Sequence, residues 1–297
     1  MIKLVVTGGC SFSDQYATST WPHLLELKVK SKYPDVKFRH TGFASQGQEL
    51  IQKKISIALI EELENYKPEE ILVLPMWSGT ERKAFWIDNP DKINQIMSFY
   101  ENSRRYLSQF NDLYSKINTD EVKSVKSTAY NPNGGWYITS YYHNDSVISK
   151  EFFNLHKTMI GFATISLENI IFLHNLCKLK GIQILHSFFR SYVYDDIFQN
   201  KDHLNLNYLF GMLDHDKIVS TIGIYEYLRP TKIINDGHKS TDIFYKLTKE
   251  DHDSTRQFFE ADNSHPNALG HNKWLDEVLI PKLTEKNLFN IIKKEVL

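Results

Sequence analysis

Cysteine is scarce. In 297 residues only Cys10 and Cys177 occur, each in an apolar or strand-turn context, so a disulfide framework is excluded and reduced thiols of a cytoplasmic protein are expected. An excess of charge of one sign is also missing. With 35 Lys and Arg against 36 Asp and Glu the net charge is -1, which removes any global pull towards nucleic acid or anionic membranes. No stretch approaches the roughly 18 to 20 uninterrupted apolar residues of a membrane span. The first residues are interrupted by glycine too early to serve as a signal peptide. There is no repeat and no low-complexity tract, and Glu285 to Leu297 reads as a charged helical end. Close His-x-x-His or Cys-x-x-Cys spacing is lacking among His203, His215, His238 and His252. These read as solvated or core histidines, so neither a metal nor a cofactor is expected.

What is present is an ordinary globular composition, 41% hydrophobic and 24% charged, long enough for one large α/β domain over residues 1–297 with insertions. Ile2 to Val6 is apolar and β-branched, which reads as a strand buried on both faces, and it runs directly into Gly8-Gly9-Cys10-Ser11-Phe12-Ser13-Asp14. A glycine turn at the carboxyl end of a strand places Ser11 where open α/β sheets bind their ligands, with Ser13 or Asp14 as cap of the next helix. Ser11 is therefore a candidate nucleophile; the alternative for such a turn is a helix N-cap with no chemical role. A nucleophilic serine needs a base whose tautomer is fixed by a partner. Asp262-Asn263-Ser264-His265-Pro266 supplies both types in one loop. His271 competes with His265, but it lies within the following helical pattern and has no Asp three residues before it.

Between these ends the βα rhythm repeats. Trp21 to Leu27 begins a helix, Lys37 to Thr41 a strand, and Gly42 to Glu49 a small-residue turn before a helix ending near Tyr66. Ile71 to Leu74 is a third strand and feeds Met76-Trp77-Ser78-Gly79 at the same sheet edge. Residues 83 to about 150 break the rhythm. They are rich in aromatics, with a turn at Asn131 to Gly135 between two strands, and read as an insertion forming either a lid or its own small core. Glu151 to Lys180 is helical and stopped by Gly181, Ile182 to Phe189 is a strand, 190 to about 258 is a second, irregular insertion, and Ala268 to Leu283 is the closing helix.

Four short blocks resemble those of the SGNH, or GDSL-type, hydrolases. Gly9-Cys10-Ser11-Phe12-Ser13 is similar to the family's first block, with Cys10 in place of its usual Asp. Gly47 matches the second-block glycine, Ser78 stands at the third-block Asn, and Asp262-x-x-His265-Pro266 is similar to the last block. The resemblance implies a flavodoxin-like three-layer α/β/α sandwich with a mostly parallel central sheet. It also implies an esterase in which Ser11 attacks, His265 is the base and Asp262 orients it. The oxyanion would be held by the backbone of Ser11 and Gly47 and by Ser78. Trp77 and Arg82 are candidates for contacting a small-molecule or carbohydrate ester, although Arg82 reads first as a surface ion-pair residue. The same triad would serve an O-acyltransferase, and the departures at Cys10 and Ser78 would also suit a binding or virion-structural protein that has lost the chemistry.

Overall fold

Val5 and Val6 have no exposed surface, because the strand that contains them lies between two others. In the computed structural model, which describes residues 1–15, 17, 19–43, 46–80, 82–87, 135–140, 159–229, 255–260 and 265–289, the chain divides into two compact units, Met1–Thr80 with Thr158–Leu297, and Glu81–Lys157.

The first unit is α/β. Strand β1 (Leu4–Gly8) pairs in parallel with β2 (Lys37–His40) on one side and β3 (Ile71–Trp77) on the other, with Leu4 opposite both Lys37 and Ile71. Every residue of β1 and β3 is buried, as expected for strands covered on both faces. β3 runs to Trp77, three residues beyond the expected end. Its far side pairs with a fourth strand broken into β6 (Gln183–Ile184) and β7 (Ser187–Phe188), giving the order β2-β1-β3-β6 with β7 also on β3. Pro75 explains the break. Val73 faces Ile184 and Met76 faces Ser187, so Pro75, which has no N–H to donate, falls at the interruption. Ser187 compensates by donating its hydroxyl to the Pro75 carbonyl at 3.1 Å. His186 meanwhile turns its backbone towards Lys217 and Val219.

Helix α1 (Trp21–Lys30) buries Trp21, Leu25 and Val29 at four-residue spacing. Helix α2 (Gln48–Glu62) lays Ile51, Ile55, Ala58 and Leu59 on β1 and β3. α3 (Met159–Lys180) packs on α2 and stops at Gly181, whose φ of +77° suits glycine. The sequence shows no long uninterrupted apolar run, yet α3 is long and apolar enough on average to cross a membrane. Here, though, Ala163, Leu167, Leu173 and Cys177 are fully buried in the core.

The stretch after Phe189 is more regular than its sequence suggests. It contains α4 (Ser191–Gln199), α5 (Leu204–Gly211) and α6 (Ile224–Leu228). The helices are short, and buried Asp196 and Tyr225 put polar side chains on their inner faces, so the sequence reads as irregular. The closing helix begins as α7 (Ala268–Trp274), loosens into a π turn over Leu275–Leu279 and continues as α8 (Ile280–Glu285). There the Ile280 N–H bonds the Leu275 carbonyl, and the next residue, Pro281, has no N–H to offer. α7 packs against α1 with Trp21 and Trp274 edge to face, ring centroids 5.8 Å apart. That contact joins the two ends of the chain.

In the second unit, β4 (Arg82–Ile87) pairs antiparallel with β5 (Gly135–Ser140), Trp86 facing Trp136. β5 starts where the sequence places the end of a turn; the strand expected before that turn lies outside the described residues. Both cysteines are free and buried, and burial pushes the Cys177 thiol up to about 12.

Candidate active site

Strand β1 ends at Gly8, and the chain then turns through Gly9 and Cys10 into a 3-10 turn, Ser11–Ser13, closed by the Ser13 N–H on the Cys10 carbonyl at 2.8 Å. Two glycines let neighbouring backbone come this close. A Cβ on Gly9 would lie 2.8 Å from the Met76 carbonyl oxygen, and one on Gly42 would lie 1.8 Å from that of Ser13. Ser13 does not cap a helix. It is buried and accepts the Trp21 indole N–H at 2.8 Å, while Thr20 occupies the α1 N-cap position. Cys10, where the resemblance has Asp, is wholly buried.

The loops at this sheet edge are tied together. Phe43 N–H bonds the Gly9 carbonyl at 3.1 Å, linking the turn after β2 to the turn after β1. Gly47 is buried and is the N-cap of the 15-residue helix α2, whose first amides have no intrahelical acceptor. Gln48 then donates from Nε2 to the Ser78 carbonyl, linking α2 to the end of β3. Ser78 is fully buried, and its Oγ has no hydrogen-bond partner among the described residues; the same holds for Oε1 of Gln46 and of Gln48. Buried polar atoms without partners are rare and concentrate where a ligand or water supplies the bond. Sequence reasoning passed over both glutamines, although two amide side chains flanking Gly47 in a turn of small residues are a usable signal.

His265 reaches this edge from the other end of the chain. Phe259 and Pro266 form an antiparallel bridge, Glu260 N–H bonds the His265 carbonyl at 2.8 Å, and Asn267 N–H bonds the Phe258 carbonyl at 3.0 Å. Asn267, rather than Pro266, is the α7 N-cap. Its Oδ1 accepts the Gly270 N–H at 3.0 Å while its Nδ2 reaches the carbonyls of Gln257 and Phe259. Behind this hairpin, the guanidinium of buried Arg229 lies 4.2 Å over the Phe259 ring and donates to Thr255 Oγ1 and Tyr225 OH at 2.8 and 2.9 Å. Arg190, the N-cap of α4, stacks 3.5 Å over Tyr225. None of this support was evident from sequence, because it joins segments far apart in the chain.

The result is that His265 Nε2 stands 3.0 Å from Ser11 Oγ, both residues being half-buried. The Phe12 ring meets the His265 imidazole edge to face at 5.4 Å. With the proton on Nδ1, Nε2 accepts the serine O–H and is placed to remove it. His271 does not compete. It is 2% exposed, and burial, with a smaller electrostatic contribution from neighbouring His265, pushes its pKa down to about 3, so it stays neutral.

Trp77 does not line a cleft. It is fully buried, its indole donates to His186 Nδ1 at 3.0 Å, and His186 in turn lies 3.3 Å from His174. A side chain pointing inward from a strand buried on both faces has no surface to offer a substrate. Arg82 is half-buried on β4 of the second unit. Asp262 lies outside the described residues, as does most of the aromatic insertion after β4. The described residues with metal-ligand character that come together are His23, Glu26 and His40, away from Ser11 in sequence. No family model, no curated protein and no solved structure matches the chain.

Proposed function

We propose that the protein is a serine esterase of SGNH type, built on a three-layer α/β/α sandwich. The observation that carries this reading is the 3.0 Å approach of His265 Nε2 to Ser11 Oγ, made by residues 254 apart in the chain. It is supported by their common position at the carboxyl edge of a parallel sheet. Ser11 Oγ attacks the ester carbonyl as His265 takes its proton, forming a tetrahedral oxyanion. His265 then gives that proton to the departing alcohol. Water, deprotonated by His265 in turn, releases the acyl group and restores Ser11. Asp262 has the role of orienting the imidazole.

The oxyanion takes hydrogen bonds from the backbone N–H groups of Ser11 and Gly47 and from the Ser78 hydroxyl, each good donor being worth about 3 kcal/mol in the barrier. Ser78 replaces a family Asn by a shorter donor, and its hydroxyl is buried and without a partner among the described residues. The substrate class we propose is a short acyl ester, acetate on a carbohydrate. Steady-state hydrolysis of p-nitrophenyl esters tests it: turnover of acetate and butyrate that vanishes in Ser11→Ala is expected. Hydrolysis confined to long chains would overturn the substrate class, and no Ser11-dependent hydrolysis of any ester would overturn the esterase itself.

A further inference from the structure

A second group of functional side chains lies on the other side of the turn that follows Ser11. His23 and Glu26 stand one helical turn apart on α1, and His40 ends β2, opposite Thr7 of β1. One ligand atom from each lies within 4.8 Å of the others. His40 Nε2 is 2.8 Å from Glu26 Oε2, and the His23 and His40 ring centroids are 4.4 Å apart.

The outer contacts give these imidazoles a direction. His23 Nε2 is 2.8 Å from the Gln15 carbonyl oxygen. A carbonyl only accepts, so that nitrogen carries the proton and Nδ1 keeps its lone pair. His40 Nε2 donates to Glu26 Oε2 at 2.8 Å, and an ion between them would take that proton's place; Nδ1 then takes the proton and donates to Thr7 Oγ1, 2.8 Å away, since a hydroxyl can accept as well as donate. Lys30 engages the other Glu26 oxygen, Oε1, and leaves Oε2 facing His40. Metal-binding imidazoles are held in this way, with the second ring nitrogen on a carbonyl or hydroxyl.

We propose that His23 Nδ1, His40 Nε2 and Glu26 Oε2 bind one divalent first-row metal ion, with Zn2+ the best match. Two imidazole nitrogens and a carboxylate oxygen suit zinc at bond lengths of about 2.0 to 2.2 Å, with water completing the tetrahedron. Ligand atoms around such an ion are separated by about 3.3 to 3.5 Å, so gaps that are at most 4.8 Å close by no more than about 1.5 Å while the 2.8 Å contact between His40 and Glu26 opens by about 0.6 Å, both within the reach of side-chain rotation on half-buried residues. The ion is a clamp and not a reacting group. Through His23 it holds Gln15, whose N–H bonds the Gly42 carbonyl at 3.0 Å, and through His40 it holds the β1–β2 pair. It therefore fixes the segment between Ser11 and α1. No local spacing motif reveals it, because His23-x-x-Glu26 and His40 are brought together by the fold.

The test is calorimetric titration of the chelator-treated full chain with Zn2+, together with the visible spectrum of its Co2+ form. Wild type should bind one ion at this site and show the d–d absorption of a four-coordinate Co2+. His23→Ala, checked for folding by circular dichroism, and the nearly isosteric Glu26→Gln should each weaken binding by about 100-fold or more. His265→Ala should leave binding unchanged, and Zn2+ should raise the unfolding temperature of wild type but not of His23→Ala. Absence of saturable binding, or binding that survives both His23→Ala and Glu26→Gln, would overturn the proposal and leave a cluster held by hydrogen bonds alone. Binding lost in His265→Ala would overturn it by moving the ion to the serine site.

Discussion

The turn that carries Ser11 and the loop that carries His265 are held by different forces. The first is backbone: β1 between two parallel neighbours, a 3-10 turn, and carbonyls packed where glycines leave room. The second is side chain: Asn267 pinning three backbone groups, Arg229 against Phe259, and α7 docked on α1 through two tryptophans. A position fixed by ladder hydrogen bonds tolerates change in any one side chain. A position fixed by a few side chains shifts when one of them is lost. The difference teaches that Ser11 is set by topology and His265 by packing.

The largest effect should come from removing either partner of the pair itself. Ser11→Ala and His265→Ala should each lower kcat by about 10^4-fold or more, and the double variant should be little worse than the worse single one, because the two act as a unit. Independent, additive losses measured in steady-state assays would break the comparison at its root. Gly42→Ala tests the backbone side. Its methyl group would collide with the Ser13 carbonyl at 1.8 Å, and a drop of about 3 kcal/mol in folding stability is expected by denaturant titration.

Ser78→Ala separates the functional use of a buried group from its structural one. Its hydroxyl has no partner to lose among the described residues, so stability should hold or rise. Catalysis, by contrast, should lose about 10^2-fold in kcat with little change in KM. A fall in stability with kcat intact would remove Ser78 from the oxyanion site.

Acidification should weaken the fold by way of buried imidazoles. His271 and His186 have folded pKa values near 3, below the unfolded value near 6.5. The unfolded chain therefore binds more protons as pH falls through 6.5. Stability supplied by each neutral imidazole is complete above that pH and is lost on descending towards 3, by about 2 kcal/mol per group between pH 7 and 5. Thermal unfolding of His271→Leu against wild type over that range should show the slope reduced by one group's share. The smallest effect is on the side-chain-held loop: Asn267→Ala should cost about 1 kcal/mol of stability, the usual loss for an N-cap. It should also lower kcat about tenfold as His265 drifts from Ser11. Unchanged kcat would show that the loop holds its place by other means.

How much of this was legible in the sequence follows the same division. Ser11 could be found because a buried strand followed by two glycines is a local pattern, and His265 because a His with Pro beside it and Asp three residues before it is another. The Pro75 break in the fourth strand could not be read, since it depends on which residue faces Pro75 across the sheet. Trp77 was misplaced for a related reason: aromatic character is visible in a sequence, but the face from which it projects depends on β3 running past Leu74. Arg190, Tyr225 and Arg229 went unnoticed because their roles exist only once α6 lies beside Phe259. His23, Glu26 and His40 form no local pattern, because β2 brings His40 to α1 only in the folded chain.

The most direct measurement is covalent labelling with a fluorophosphonate, with the adduct located by mass spectrometry. The account predicts one adduct, on the peptide containing Ser11, formed at a rate that collapses in His265→Ala and is unchanged in His271→Asn. An adduct on another residue, or equal labelling rates in wild type and His265→Ala, would contradict it.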